Sequence, residues 1–139
     1  MRISAHVKNS HNHHHVTLAT NDTVHSITIP PKCTGYGSSA NGGEVLFLAL
    51  ATCYGNDVYR EAATRGIEVT AVEVTVEGDF GAAGEPARNV TYHAKVTGRG
   101  STADLRALAE HTDTVAEIQN TLRAGAAVHL DAIQVVTIE

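Results

Sequence analysis

The chain has no tryptophan, and aromatic residues make up only 4% of its 139 positions. A core must therefore be built from Val, Leu, Ile and Ala. Basic residues are also scarce: Lys and Arg number 10 against 15 Asp and Glu, for a formal net charge of −5. No basic patch stands out, which argues against a nucleic-acid partner. No apolar run reaches the ~18 residues of a membrane span. The first residues lack the basic segment and apolar stretch of a signal peptide, so the expected location is the cytoplasm. With only two cysteines, Cys33 and Cys53, there is no disulfide framework, and a reducing compartment suits them.

What is present is a 42% apolar content, enough for one compact domain over residues 1–139. Nine histidines are many for this length, and four cluster at His11, His13, His14 and His15. The most informative stretch is Asn41-Gly-Gly-Glu-Val-Leu-Phe-Leu-Ala-Leu-Ala-Thr-Cys53. A glycine-rich loop runs into an apolar helix that carries a cysteine deep in its apolar run. Such a thiol is either a small buried hydrophobe or a nucleophile kept from water.

Periodicity organises the rest. Residues 1–8 alternate apolar and polar, Asn9-Ser10 opens a turn, and His15 to Ala19 alternates again. Asn21-Asp22 forms a second turn before Val24 to Ile29, giving a three-stranded antiparallel meander that Pro30-Pro31 ends. After a Gly- and Ser-rich loop, a helix is expected from Gly43 to Arg65, closed by Gly66. Its first half is apolar on nearly every face, which predicts burial on all sides. Its second half, with Asn56, Asp57, Arg60, Glu61 and Arg65, is expected to reach water. Strands follow over Ile67 to Glu77 and Asn89 to Thr97. Ser101-Thr-Ala-Asp104 resembles a capping box and opens a helix over Thr102 to Glu110. Thr112 or Thr114 caps another helix that ends near Gly125, and Ala127 to Ile138 reads as a last strand. The order βββ–α–ββ–αα–β places the chain in the α+β class, with antiparallel sheets packed around a long central helix. Within the chain, one sheet covers one face of that helix. Either a second subunit or the two short helices must cover the other.

The run Gly35-Tyr-Gly-Ser-Ser-Ala-Asn-Gly-Gly-Glu-Val-Leu-Phe-Leu-Ala-Leu-Ala-Thr-Cys53 resembles the OsmC family of osmotically inducible and organic hydroperoxide resistance proteins. The Val-Glu-Val-Thr-Val-Glu-Gly strand after the helix and Ile118-Gln-Asn-Thr-Leu122 fit the same pattern. The resemblance implies an intertwined α+β homodimer. It also implies reduction of organic hydroperoxides by two cysteines, a sulfenic acid on the first being resolved by the second. An arginine and a glutamate assist the first thiolate in that family. Cys53 falls on the attacking position. Aligned on Asn120, the second cysteine's place is taken by Ala116. The glutamate's place is Gly43, with Glu44 one residue later, as in other branches of the family. The arginine has no counterpart in the early strands, where histidines stand instead.

The candidate residues each have two readings. Cys53 is the attacking thiol or a packed small hydrophobe. Cys33 is a substitute second thiol or an inconsequential loop cysteine. Glu44 is a carboxylate orienting a basic partner near Cys53, or a first-turn acid complementing the helix dipole. Asp57, Arg60 and Glu61 read as a solvated, self-paired helix face. With a strand period, His11, His13 and His15 share one face opposite His14. They could bind a divalent metal, but no carboxylate or cysteine nearby completes a tetrahedral set. No cofactor and no metal are implied. The chain is thus expected to be a thiol-dependent peroxidase recycled by an external thiol. The alternative is a dimer that has lost the chemistry and holds a small apolar ligand.

Overall fold

The computed structural model describes residues 1–138. They form two compact units, Met1–Phe47 and a second that begins at Leu48.

The first unit is a meander of β1 (Ile3–Ser10), β2 (His13–Thr20) and β3 (Thr23–Ile27), antiparallel in the order β1-β2-β3. Asn12 and Asn21 take positive φ at 60° and 50°, a conformation Asn tolerates better than most residues. They set both hairpins. The first turn therefore lies at His11-Asn12 rather than at Asn9-Ser10, and Asn9 and Ser10 pair with His14 and His13. His11 is consequently off the strand, with its ring 5.1 Å from that of Tyr36, while His13 and His15 share a face. Val16 is the buried apolar residue of this sheet.

Helix α1 spans Gly42–Thr64. It starts in a reciprocal capping box: the Glu44 N–H donates to Asn41 Oδ1 at 2.8 Å, and the Asn41 N–H donates to Glu44 Oε1 at 3.1 Å. It stops at Gly66, where φ is 63°. The Gly66 N–H reaches Ala63 O and the Ile67 N–H reaches Ala62 O, the paired bonds that close a helix through a left-handed residue. Burial along α1 differs from the sequence expectation. Val45 is 37% and Leu48 56% exposed, and the buried stripe is Leu50, Tyr54, Val58 and Ala62, four residues apart. The chain thus covers one face of the helix, and the packed part is its second half.

In the second unit, β4 (Val69–Asp79) pairs antiparallel with β5 (Arg88–Gly98). An irregularity between Val69 and Ala71 resets the alternation, so that Val69, Val72 and Val74 all pack on the core with Tyr92 and Val96. Gly98 is needed where β5 ends, because a Cβ there would lie 2.5 Å from Glu68 O. Helix α2 (Thr102–Val115) is capped by Ser101, whose Oγ accepts from the Asp104 N–H at 3.0 Å. Tyr54, Val58, Ala62 and Leu108 form the core between α1, α2 and the sheet. Burying a side chain such as Leu108 contributes about 1.5–3 kcal/mol.

Two expectations change here. Thr112 and Thr114 cap nothing. They lie within α2, and their hydroxyls donate back to Leu108 O and His111 O. The break falls at Ala116, extended at φ −68° and ψ 112°, and α3 is Glu117–Arg123. Asn120 Nδ2 ties off the end of α2 by donating to Thr114 O. The last strand expected over Ala127 to Ile138 is not formed, and no regular structure is present there. Its apolar residues are open to solvent, with Val128 93% and Val136 78% exposed. A strand exists only through a ladder with a neighbour, and among the described residues nothing pairs with this segment.

Candidate active site around Cys53

Helical spacing puts Asp57 one turn beyond Cys53 on the same face of α1. The extended residue Ala116 then turns the start of α3 back onto that face. The result joins positions 64 and 65 residues apart. The Cys53 Sγ lies 3.6 Å from Asp57 Oδ2 and 3.7 Å from Glu117 Oε2, and the Ile118 N–H donates to it at 3.5 Å. Asp57, expected on a solvated face, is only 6% exposed. Glu117 was missed altogether. Its sequence signal was faint: an acid directly after the position where the OsmC resemblance expects a cysteine.

Arg60 holds the acids in place. Its Nη1 sits 3.0 Å from Asp57 Oδ1 and 2.9 Å from Glu117 Oε1, and its Nε donates to Glu61 Oε1 at 2.9 Å. Glu61 in turn meets His111 Nε2 at 3.0 Å. One guanidinium therefore spans three carboxylates, as its fork of donors allows.

Burial pushes the Cys53 thiol above its ordinary value. The Ile118 N–H pulls the other way, and the charges of Asp57 and Glu117 add to the rise. Asp57 is also raised, first by burial and then by sharing a proton with Glu117. Glu117 is lowered, chiefly by its own backbone N–H and then by the bond from Asp57 and by Arg60. Donor atoms of Cys53, Asp57 and Glu117 all lie within 4.8 Å of one another, a spacing that suits a cation. Arg60 already supplies that cation to both carboxylates. The arrangement is an ion-pair cluster beside the thiol.

The other sequence candidates belong to the first unit. The Glu44 carboxylate is engaged in the capping box at the start of α1. Cys33 is an exposed free thiol in the loop after β3. His14 Nδ1 accepts from Asn9 Nδ2 at 3.1 Å, and among the described residues no three-donor group includes a histidine. Ala116, fully buried, lies directly before the two residues that touch Cys53. The position where the resemblance expects a second cysteine thus holds only a methyl group.

The sequence model of the OsmC-like proteins matches residues 35–131. The chain belongs to the OsmC family. The fold agrees with that of an OsmC-like protein from Mycoplasma pneumoniae, at TM-score 0.59 and 16% identity over 88% of this chain and 89% of that one. An OsmC-like protein of unknown function from Vibrio cholerae aligns at TM-score 0.59 and 14% identity, over 87% and 93%. An organic hydroperoxide resistance protein from Legionella pneumophila aligns at TM-score 0.53 and 20% identity, over 85% and 89%. At these identities the likeness establishes the fold alone. No curated protein sequence is significantly similar to the chain. Among the described residues, no helix is long and apolar enough to cross a membrane.

Proposed function

We propose that this OsmC-family chain reduces organic hydroperoxides at Cys53 and works with one cysteine. The observation that carries the reading is the Cys53 sulfur held between two carboxylates and the Ile118 N–H. Sulfur attacks the terminal peroxide oxygen, the O–O bond breaks, and Cys53 becomes a sulfenic acid as the alcohol leaves. Ala116 offers no thiol to condense with it, so an external thiol completes the cycle. That thiol forms a mixed disulfide with loss of water, and a second equivalent releases Cys53. Arg60 bonds the two acids that flank the sulfur. Glu44 is assigned to capping, and Cys33, exposed, to no essential step. A homodimer is part of this proposal: the uncovered face of α1 and the exposed apolar residues of 127–138 both call for a partner.

One observation favours a second reading, an OsmC-like dimer without this chemistry that holds a small apolar ligand. The raised thiol of Cys53 is a poor source of thiolate at neutral pH. Reaction of the reduced protein with cumene hydroperoxide, followed by trapping of sulfenic acid and mass spectrometry, separates the two. Rapid stoichiometric modification at Cys53 that disappears in Cys53→Ser supports the peroxidase. Slow modification spread over Cys33 and Cys53 supports the second reading.

A further inference from the structure

We propose that Asp57 and Glu117 act as one proton-transfer unit, taking the proton of Cys53 and returning it to the oxygen that leaves. The inference rests on the hydroperoxide reading above and adds the residues that make a reluctant thiol usable.

The chemistry requires such a unit. Attack by sulfur on the terminal oxygen of ROOH forms the S–O bond and breaks the O–O bond. Sulfur is oxidised by two electrons, and RO⁻ departs. The thiol must lose a proton, and RO⁻ must gain one. The overall balance is Cys53–SH + ROOH → Cys53–SOH + ROH, and the carboxyl pair ends as it began. Both carboxylates are within reach of the thiol, at 3.6 and 3.7 Å. Two acids so close favour holding one proton between them, because that relieves the repulsion of like charges. Burial raises Asp57, while its own backbone N–H and Arg60 lower Glu117. Arg60 is a positioning residue, bonded to both acids through one nitrogen. The other groups facing the pair are Glu61, tied to Arg60, and His111, tied to Glu61.

The proposal separates two quantities that usually move together. Removing a negative charge beside a thiol makes more thiolate. Removing a proton carrier slows a step that needs one, by about 10²-fold or more for a general acid–base group. The test uses the full chain and the variants Glu117→Gln and Asp57→Asn. The rate of Cys53 oxidation by cumene hydroperoxide is measured from pH 5 to 9. Alkylation of Cys53 by iodoacetamide is measured beside it, because iodide leaves without a proton.

In both variants, alkylation at pH 7.5 should hold or accelerate while hydroperoxide oxidation falls at least tenfold and its pH profile changes shape. Glu117 carries the test if the buried Asp57 substitution fails to fold, because the Glu117 side chain is 61% exposed. Oxidation that stays at the wild-type rate, or that rises in step with alkylation, overturns the proton-transfer role and leaves the peroxidase reading standing. A wild type that cumene hydroperoxide does not oxidise at Cys53 overturns both.

Discussion

Two clusters in the second unit have nearly the same parts and opposite electrostatics. In each, a weak acid faces a carboxylate that an arginine grips. Around Cys53 the set is thiol, Asp57 and Arg60. On the other side of α2, the Tyr92 hydroxyl donates to Asp113, and Arg123 Nη2 reaches Asp113 Oδ1 at 2.7 Å. This second set borders an open groove of about 750 Å³ between β5 and α2, lined by Tyr54, Tyr92, Leu105, Arg106 and Asp113 among others. Both weak acids are raised, Cys53 and Tyr92 alike, first by burial. The carboxylates diverge. Burial pushes Asp113 up, but the bonds from Tyr92 and Arg123 outweigh it and hold the group below its ordinary value. Asp57 ends above its ordinary value, first because it is buried and then because Glu117 bonds and repels it, while Arg60 pulls the other way. A single additional acid separates a clamp, which fixes α2 and α3 together, from a pair able to accept a proton.

The comparison can be broken or sharpened in several ways. The largest effect is expected at the core that both clusters rest on. Leu108 is fully buried against Tyr54, Val58 and Ala62, so Leu108→Ala should cost about 2–5 kcal/mol in urea unfolding and loosen both sets at once. Tyr92→Phe removes one donor from Asp113 and should cost about 1 kcal/mol, with no change in Cys53 alkylation. If it does alter alkylation, the two clusters are coupled and the contrast fails.

Arg123→Met should cost less than about 1 kcal/mol at pH 7, because that pair is half-exposed. Its clearer signature is in acid. Asp113 has a lowered folded pKa, so its contribution is complete above its ordinary value of 3.8 and is lost as pH falls through the folded value. Melting temperatures measured from pH 5 to 2.5 should therefore fall less steeply in Arg123→Met than in the wild type. Asp57 has the opposite sign: its contribution is complete below 3.8 and lost as pH rises through the folded value.

Glu117→Gln should leave urea unfolding within about 0.5 kcal/mol of wild type, as an exposed position allows. It should nonetheless make Asp57 resemble Asp113. Carboxyl NMR titration should show Asp57 moving down. Cys53 alkylation at pH 7.5 should quicken about fivefold, the value of one charge about 4 Å away in a water-like medium. An Asp57 pKa unmoved by this change would show that burial alone raises it.

Most of the architecture could be read along the chain, because its signals are local. Alternation marked β1 to β5, the glycine-rich loop before Gly43 and the Ser101–Asp104 pair marked helix starts, and Gly66 marked a helix end. The misreadings came where a local signal had a competitor. The hydroxyls of Thr112 and Thr114 satisfy themselves inside α2, so the chain breaks at Ala116, a residue with no capping group of its own. The alternation over Ala127 to Ile138 is strand-like, but a ladder needs a second strand, and none pairs with it among the described residues.

The sequence by itself determined the family and the α+β class, and placed Cys53 on the long helix, since a glycine-rich loop, an apolar helix and a cysteine at fixed spacing are contiguous features. Only the tertiary structure decided what surrounds the sulfur. Asp57 looks like any solvated helix acid until α3 packs over it, and Glu117 is 64 residues from Cys53. Charge proximity across that separation follows from how helices stack, and the protonation of the site follows from that proximity.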